Sequence, residues 1–149
     1  MYKRIVVGTD GSTRAHDAVR RAGELAAESG LTEVDVVSSC DPASPAEMRQ
    51  VRTTLPQEFR DSVDPDLDAD NDVAAARAIL HEYGVRVRPH PAVGDPAEAI
   101  LDVAADRDAD LIVVGARGLG AVGRLVHGSV STKVAHHSPC DVLIVEHDA

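Results

Sequence analysis

Glycines at 115, 118 and 128 run up to a serine in the spacing Gly115-x2-Gly118-x9-Gly128-Ser129. Glycine lets backbone N–H groups approach a phosphate with no Cβ in the way. If Ser129 opens a helix, the N–H groups and dipole at that helix end add attraction for an anion. Ser129 and Ser131 supply hydroxyls, and Arg117 and Arg124 are cations of the same stretch. The plainer reading is a glycine-rich connection with Ser129 as an ordinary cap. A second cluster, Gly8-Thr9-Asp10-Gly11-Ser12, combines turn residues with capping side chains. There Asp10 can cap the helix that follows, bond a sugar hydroxyl, or in principle act as a general base.

Other chemistries find less support. A glycine followed by lysine and serine or threonine, the mark of a P-loop, is absent. Gly118-x-Gly120-x-x-Gly123 matches a dinucleotide fingerprint, with Glu146 as the acid of the next strand. That fingerprint needs its helix to run on from the third glycine, and Gly128-Ser129 would break it. His136 and His137 are adjacent, so they point to different helix faces, and no histidine pairing has metal-ligand spacing. His127, next to Gly128, could touch a phosphate, but the default reading of the histidines, His127 included, is solvated side chains.

The elements that must hold these loops alternate between buried strands and amphipathic helices. Apolar runs at Arg4–Thr9, Val34–Ser39 and Leu111–Val114 read as parallel strands covered on both faces. Val85, Val87 and Val93 give a further strand that Pro89 and Pro91 place at an edge, and Val142–Val145 gives the last. Ala15, Ala18, Val19, Ala22, Leu25 and Ala26 recur at helical spacing up to Gly30. A second helix spans about Asp72–Tyr83 and closes at Gly84. A third starts at Asp95 with Pro96 in the first helical position and Glu98 placed to reach back. A fourth covers about Ser129–His137, stopped by Pro139. Residues 41–72 hold Pro42, Pro45, Pro56 and Pro65 and a run of aspartates, and read as a surface excursion with one helical turn near 46–52. Strict alternation predicts one α/β domain over 1–149, a five-stranded parallel sheet with helices on both faces. Ligands of such sheets bind beyond the strands' carboxyl ends where strand order reverses. The two glycine-rich loops share a crevice if strands one and four are neighbours.

The glycine spacing resembles the nucleotide-binding motif of the ATP-binding universal stress proteins. The likeness continues through Val6-Val7-Gly8-Thr9-Asp10-Gly11-Ser12, Gly94-Asp95-Pro96, Ala109-Asp110-Leu111-Ile112-Val113-Val114-Gly115 and Pro139-Cys140-Asp141-Val142-Leu143-Ile144-Val145. It covers nearly all of the chain except 41–72. It implies an adenine nucleotide alpha hydrolase-like, Rossmann-like fold and a nucleotide-responsive regulator or adaptor in stress response. The alternative is a slow ATPase or phosphotransferase in the same pocket. Gly115, Gly118, Gly128 and Ser129 would hold phosphates and ribose, with Thr9, Arg117, Val130 and Ser131 in the same ATP site. Asp10 would lie near ribose and adenine, and Ser39 would line the adenine pocket. Ser38-Ser39-Cys40 stands where the family usually has a histidine followed by apolar residues, and Arg117 replaces a common histidine, so the adenine wall is more polar here. ATP is expected with Mg²⁺ offsetting its charge, and no residue is assigned to catalysis or to a resident metal. The resemblance also implies a homodimer through strand 142–145, whose apolar edge nothing later covers.

Net charge is −10 across 149 residues, which argues against nucleic acid or an anionic membrane as partner. No apolar run approaches membrane-spanning length, and Ile5-Val6-Val7 is too short for a signal-peptide core, so the expectation is a cytoplasmic protein with Cys40 and Cys140 reduced. Lys3 and Lys133 are the only lysines. The charge also opposes an anionic ligand at long range, so contacts at the site must win at short range.

Overall fold

The computed structural model describes residues 1–40, 65–116 and 129–146. Its elements alternate along the chain: β1 (Ile5–Thr9), α1 (Thr13–Glu28), β2 (Glu33–Cys40), α2 (Pro65–His81), β3 (Arg86–Val93), α3 (Pro96–Asp106), β4 (Leu111–Gly115), α4 (Ser129–His137) and β5 (Asp141–Val145). The five strands form one parallel sheet in the order β3-β2-β1-β4-β5. Strands one and four are direct neighbours, with Val6 opposite Ile112 and Val7 opposite Val113.

The strand period of two divides the core between the faces. Ile5, Val7, Val34, Val36, Leu111 and Val113 face Ala18, Val19 and Ala22 of α1 and Ala76 and Leu80 of α2. Val6, Val37, Ile112 and Val114 face Ala97, Ile100 and Ala104 of α3 and Val134 of α4. Every residue of β1 is buried, and each large apolar side chain so buried contributes about 1.5–3 kcal/mol. The expected helix starts hold at Ser12, which accepts from Ala15 N, and at Asp95, which accepts from Ala97 N.

Two expectations are corrected. The second helix begins at Pro65, not near Asp72, so residues 65–72 are helical. Pro65 takes the first helical position, where its missing N–H costs nothing. Aspartate, a weak helix former in helix interiors, hid the extension. Glu98 does not reach back to its own cap; its Oε1 lies 3.3 Å from Lys133 Nζ on α4. The proposed turn near 46–52 lies outside the described residues.

At the sheet's amino end, side chains tie distant segments together. The Asp110 carboxylate accepts from the backbone N–H of Lys3 (2.8 Å) and of Arg4 (2.9 Å). Arg4 Nη1 donates to the Arg107 carbonyl at 2.6 Å. Asp35, buried in β2, takes Arg107 Nε at 3.1 Å and His90 Nε2 at 2.7 Å on one oxygen, Oδ1.

Candidate functional site

Beyond the carboxyl ends of β1 and β4 the chain opens into a crevice. The two strands are neighbours, and the helices that follow them pack on opposite faces of the sheet, the arrangement in which such a crevice is expected. Val37, Pro96, Ile100, Val114 and Ala15 give the crevice apolar lining, while Thr9, Asp10, Ser12, Arg14 and Ser131 bring polar groups to it. Gly8, Gly115, Ala116 and Val130 complete the wall.

The turn from β1 into α1 is set by its own side chains. Thr9 Oγ1 accepts from Gly11 N at 3.2 Å, Asp10 Oδ1 from Ser12 N at 2.9 Å, and Ser12 Oγ from Ala15 N at 3.2 Å. Gly11 has φ +80°, which favours glycine, and a Cβ there would run into the Asp72 carboxylate of α2. Two further glycines stand at close approaches. A Cβ on Gly8 would lie 2.5 Å from Ile100 Cδ1, and one on Gly115 would lie 2.9 Å from the backbone oxygen of Arg14. The second contact presses the first turn of α1 against the end of β4.

Across the crevice, α4 is fastened to the start of α3. Lys133 Nζ donates to Asp95 Oδ2 and reaches Glu98. The hydrogen bond from Lys133 holds the Asp95 carboxyl below its usual range, and the bond to Asp95 raises the Lys133 ammonium above its own. Ser131, two residues earlier on α4, is buried and lines the crevice.

Of the residues singled out from sequence, Thr9, Asp10, Gly115, Val130 and Ser131 line this one crevice. Ser129 opens α4, exposed and outside the lining. Ser39 lies in the last part of β2, paired with Ala92. Arg117, Gly118, Gly128, Arg124 and His127 lie outside the described residues. The sequence reading placed Ser12 in the crevice loop and missed Arg14, Val37, Pro96, Ile100 and Val114 as lining. For Val37 and Val114 the signal was present, since each stands near the carboxyl end of a predicted strand. An apolar floor with hydroxyls, a carboxylate and a guanidinium at its side fits a ligand with a flat apolar part and a polar, anionic part.

The model of the universal stress protein family matches residues 1–146. The chain belongs to the universal stress protein family. It is 35% identical over 148 residues to a universal stress protein of Staphylococcus saprophyticus, covering 97% of this chain and 83% of that one. Among solved structures, it is similar to a universal stress protein in complex with cAMP at 33% identity and TM-score 0.71, covering 99% of both chains. It is similar to the universal stress protein from Archaeoglobus fulgidus in complex with dAMP at 26% identity and TM-score 0.67, covering 96% of this chain and 97% of that chain. Universal stress proteins of this fold thus include members that hold adenine nucleotides. Among the described residues of this member, no helix is long and apolar enough to cross a membrane.

Proposed function

We propose that this universal stress protein binds ATP in the crevice between β1 and β4 and acts as a nucleotide-responsive regulator or adaptor in stress response. The observation that carries the reading is the division of the crevice lining. Apolar side chains from β2, β4 and α3 offer a surface for the base, and Thr9, Asp10, Arg14 and Ser131 offer partners for ribose and phosphates. The glycines of the 115–128 stretch would bring backbone N–H groups to the phosphates. Mg²⁺ would travel with the phosphates, since no cluster of three potential metal ligands occurs among the described residues. A binding role is favoured over hydrolysis because Asp10, the carboxylate among the described lining residues, already holds the turn through Ser12 N. Denaturing the purified protein and analysing the supernatant tests this: released adenine nucleotide supports it, and a preparation that releases none and takes up none when ATP is added refutes it.

The two sheet edges suit the proposed homodimer unequally. Arg86 N donates to Thr32 O, so the even positions of β3 face β2 and the odd ones face outward. Pro89 and Pro91 fall on outward positions and remove donors from that edge. On β5 the Val145 carbonyl faces the β4 side, where it accepts from Ala116 N, which leaves the backbone of Val142 and Ile144 outward with no proline between. Strand addition therefore favours β5. Light scattering at micromolar concentration should give a dimer, and a monomer would count against this arrangement.

A further inference from the structure

We infer that Arg14 is a cation that selects a phosphate-bearing ligand in this crevice, an inference that rests on the nucleotide reading above. Arg14 is exposed and lines the crevice, and no other lysine or arginine among the described residues does so. Arg20, Arg21, Arg88, Arg107 and Lys133 are all engaged by carboxylates. The Arg14 side chain has no hydrogen bond or ion pair among the described residues, in a protein whose net charge is −10.

Its place on the helix makes this more pointed. Ser12 caps α1, so Arg14 is the second residue of the first turn, and that turn holds no acidic residue. A cation at the positive end of a helix is disfavoured, and an acid there is the usual choice. Here a guanidinium and a helix N-terminus both present positive charge to one side of the crevice. Two carboxylates stand close by, Asp10 and Asp72. Asp10 is drawn to Ser12 N, and Asp72 sits against Gly11. The contact of Gly115 with the Arg14 backbone fixes the base of this side chain beside the start of the glycine-rich stretch. An anionic group of a bound ligand would supply what the first turn lacks, and guanidinium forks match phosphate oxygens. The base would rest on the apolar lining without help from Arg14, so the residue would separate nucleotides from nucleosides.

The test titrates wild type, Arg14→Gln and Arg14→Lys with ATP and with adenosine, with thermal unfolding as a check on the fold. Arg14→Gln should weaken ATP about tenfold or more and leave adenosine unchanged, as expected for loss of a charge-assisted contact. Arg14→Lys should recover part of the ATP affinity. Equal ATP affinity in Arg14→Gln and wild type would overturn the assignment. So would a parallel loss of ATP and adenosine, which would make Arg14 a support for pocket shape. If wild type takes up neither compound, the nucleotide reading falls, and this inference falls with it.

Discussion

The two ends of the sheet use their polar groups in opposite ways. At the amino end, charges are consumed by links between segments far apart in the chain. Asp110 holds the backbone of Lys3 and Arg4, and Asp35 holds Arg107 and His90. At the carboxyl end, Thr9, Asp10 and Ser12 accept from backbone N–H groups two or three residues along the chain and so shape the turn from β1 into α1. Close packing there depends on glycines, and Arg14 has no ion-pair partner among the described residues. One end stabilises the fold and the other stays open to a ligand, the division expected of open parallel sheets.

The largest effect expected from breaking this contrast is at Asp35. Asp35→Ala would strip a side chain only 5% exposed from Arg107 and His90. The loss should be about 3 kcal/mol, or roughly 6–12 °C in Tm, since both partners can partly rehydrate. ATP affinity measured well below the transition should be unchanged. A drop in affinity with the fold intact would show that the two ends are not separable.

Gly8→Ala should have a smaller effect on stability and a clearer one on binding. The new Cβ would meet the tip of Ile100 at 2.5 Å, so the Ile100 side chain must move within the crevice lining. Overpacking of this kind costs about 1–3 kcal/mol. Titration should show weaker ATP binding, and unchanged binding would mean that Ile100 is no part of the ligand's floor.

The smallest effect belongs to the Lys133 clasp, an exposed link at the carboxyl end. The Asp95 carboxyl is lowered by the bond from Lys133, so its contribution is present above the ordinary carboxylate range and fades as pH falls through the lowered folded-state value. The Lys133 ammonium is raised, so its contribution is present below the ordinary lysine range and fades as pH climbs through the raised value. Lys133→Met should flatten the acid limb of the stability profile slightly and leave neutral-pH folding intact. An unchanged acid limb would show that the clasp adds nothing measurable.

Much of the scaffold was legible because its signals are local. Continuous apolar runs announce β1 and β4, two prolines mark β3 as an edge, and Asp95-Pro96 marks the start of α3. The start of α2 was not legible, because aspartates break the apolar period that identifies a helix. The site was half legible. Thr9, Asp10, Gly115 and Ser131 belong to short motifs, and their meeting required only that β1 and β4 be neighbours. Arg14 was hidden for a different reason: nothing in the local sequence sets it apart from Arg20 and Arg21 on the same helix. Only the packing of α1 against Gly115 distinguishes it. Likewise Glu98 was read against its own helix, whereas its partner Lys133 stands 35 residues away.

The central claim is that the crevice between β1 and β4 holds ATP. Calorimetric titration of the intact chain with Mg²⁺-ATP tests it most directly, repeated on the Gly8→Ala variant that narrows the crevice. The account predicts saturable one-to-one binding per chain in wild type and a marked weakening in the variant. No heat of binding in a folded, nucleotide-free wild-type sample would contradict it.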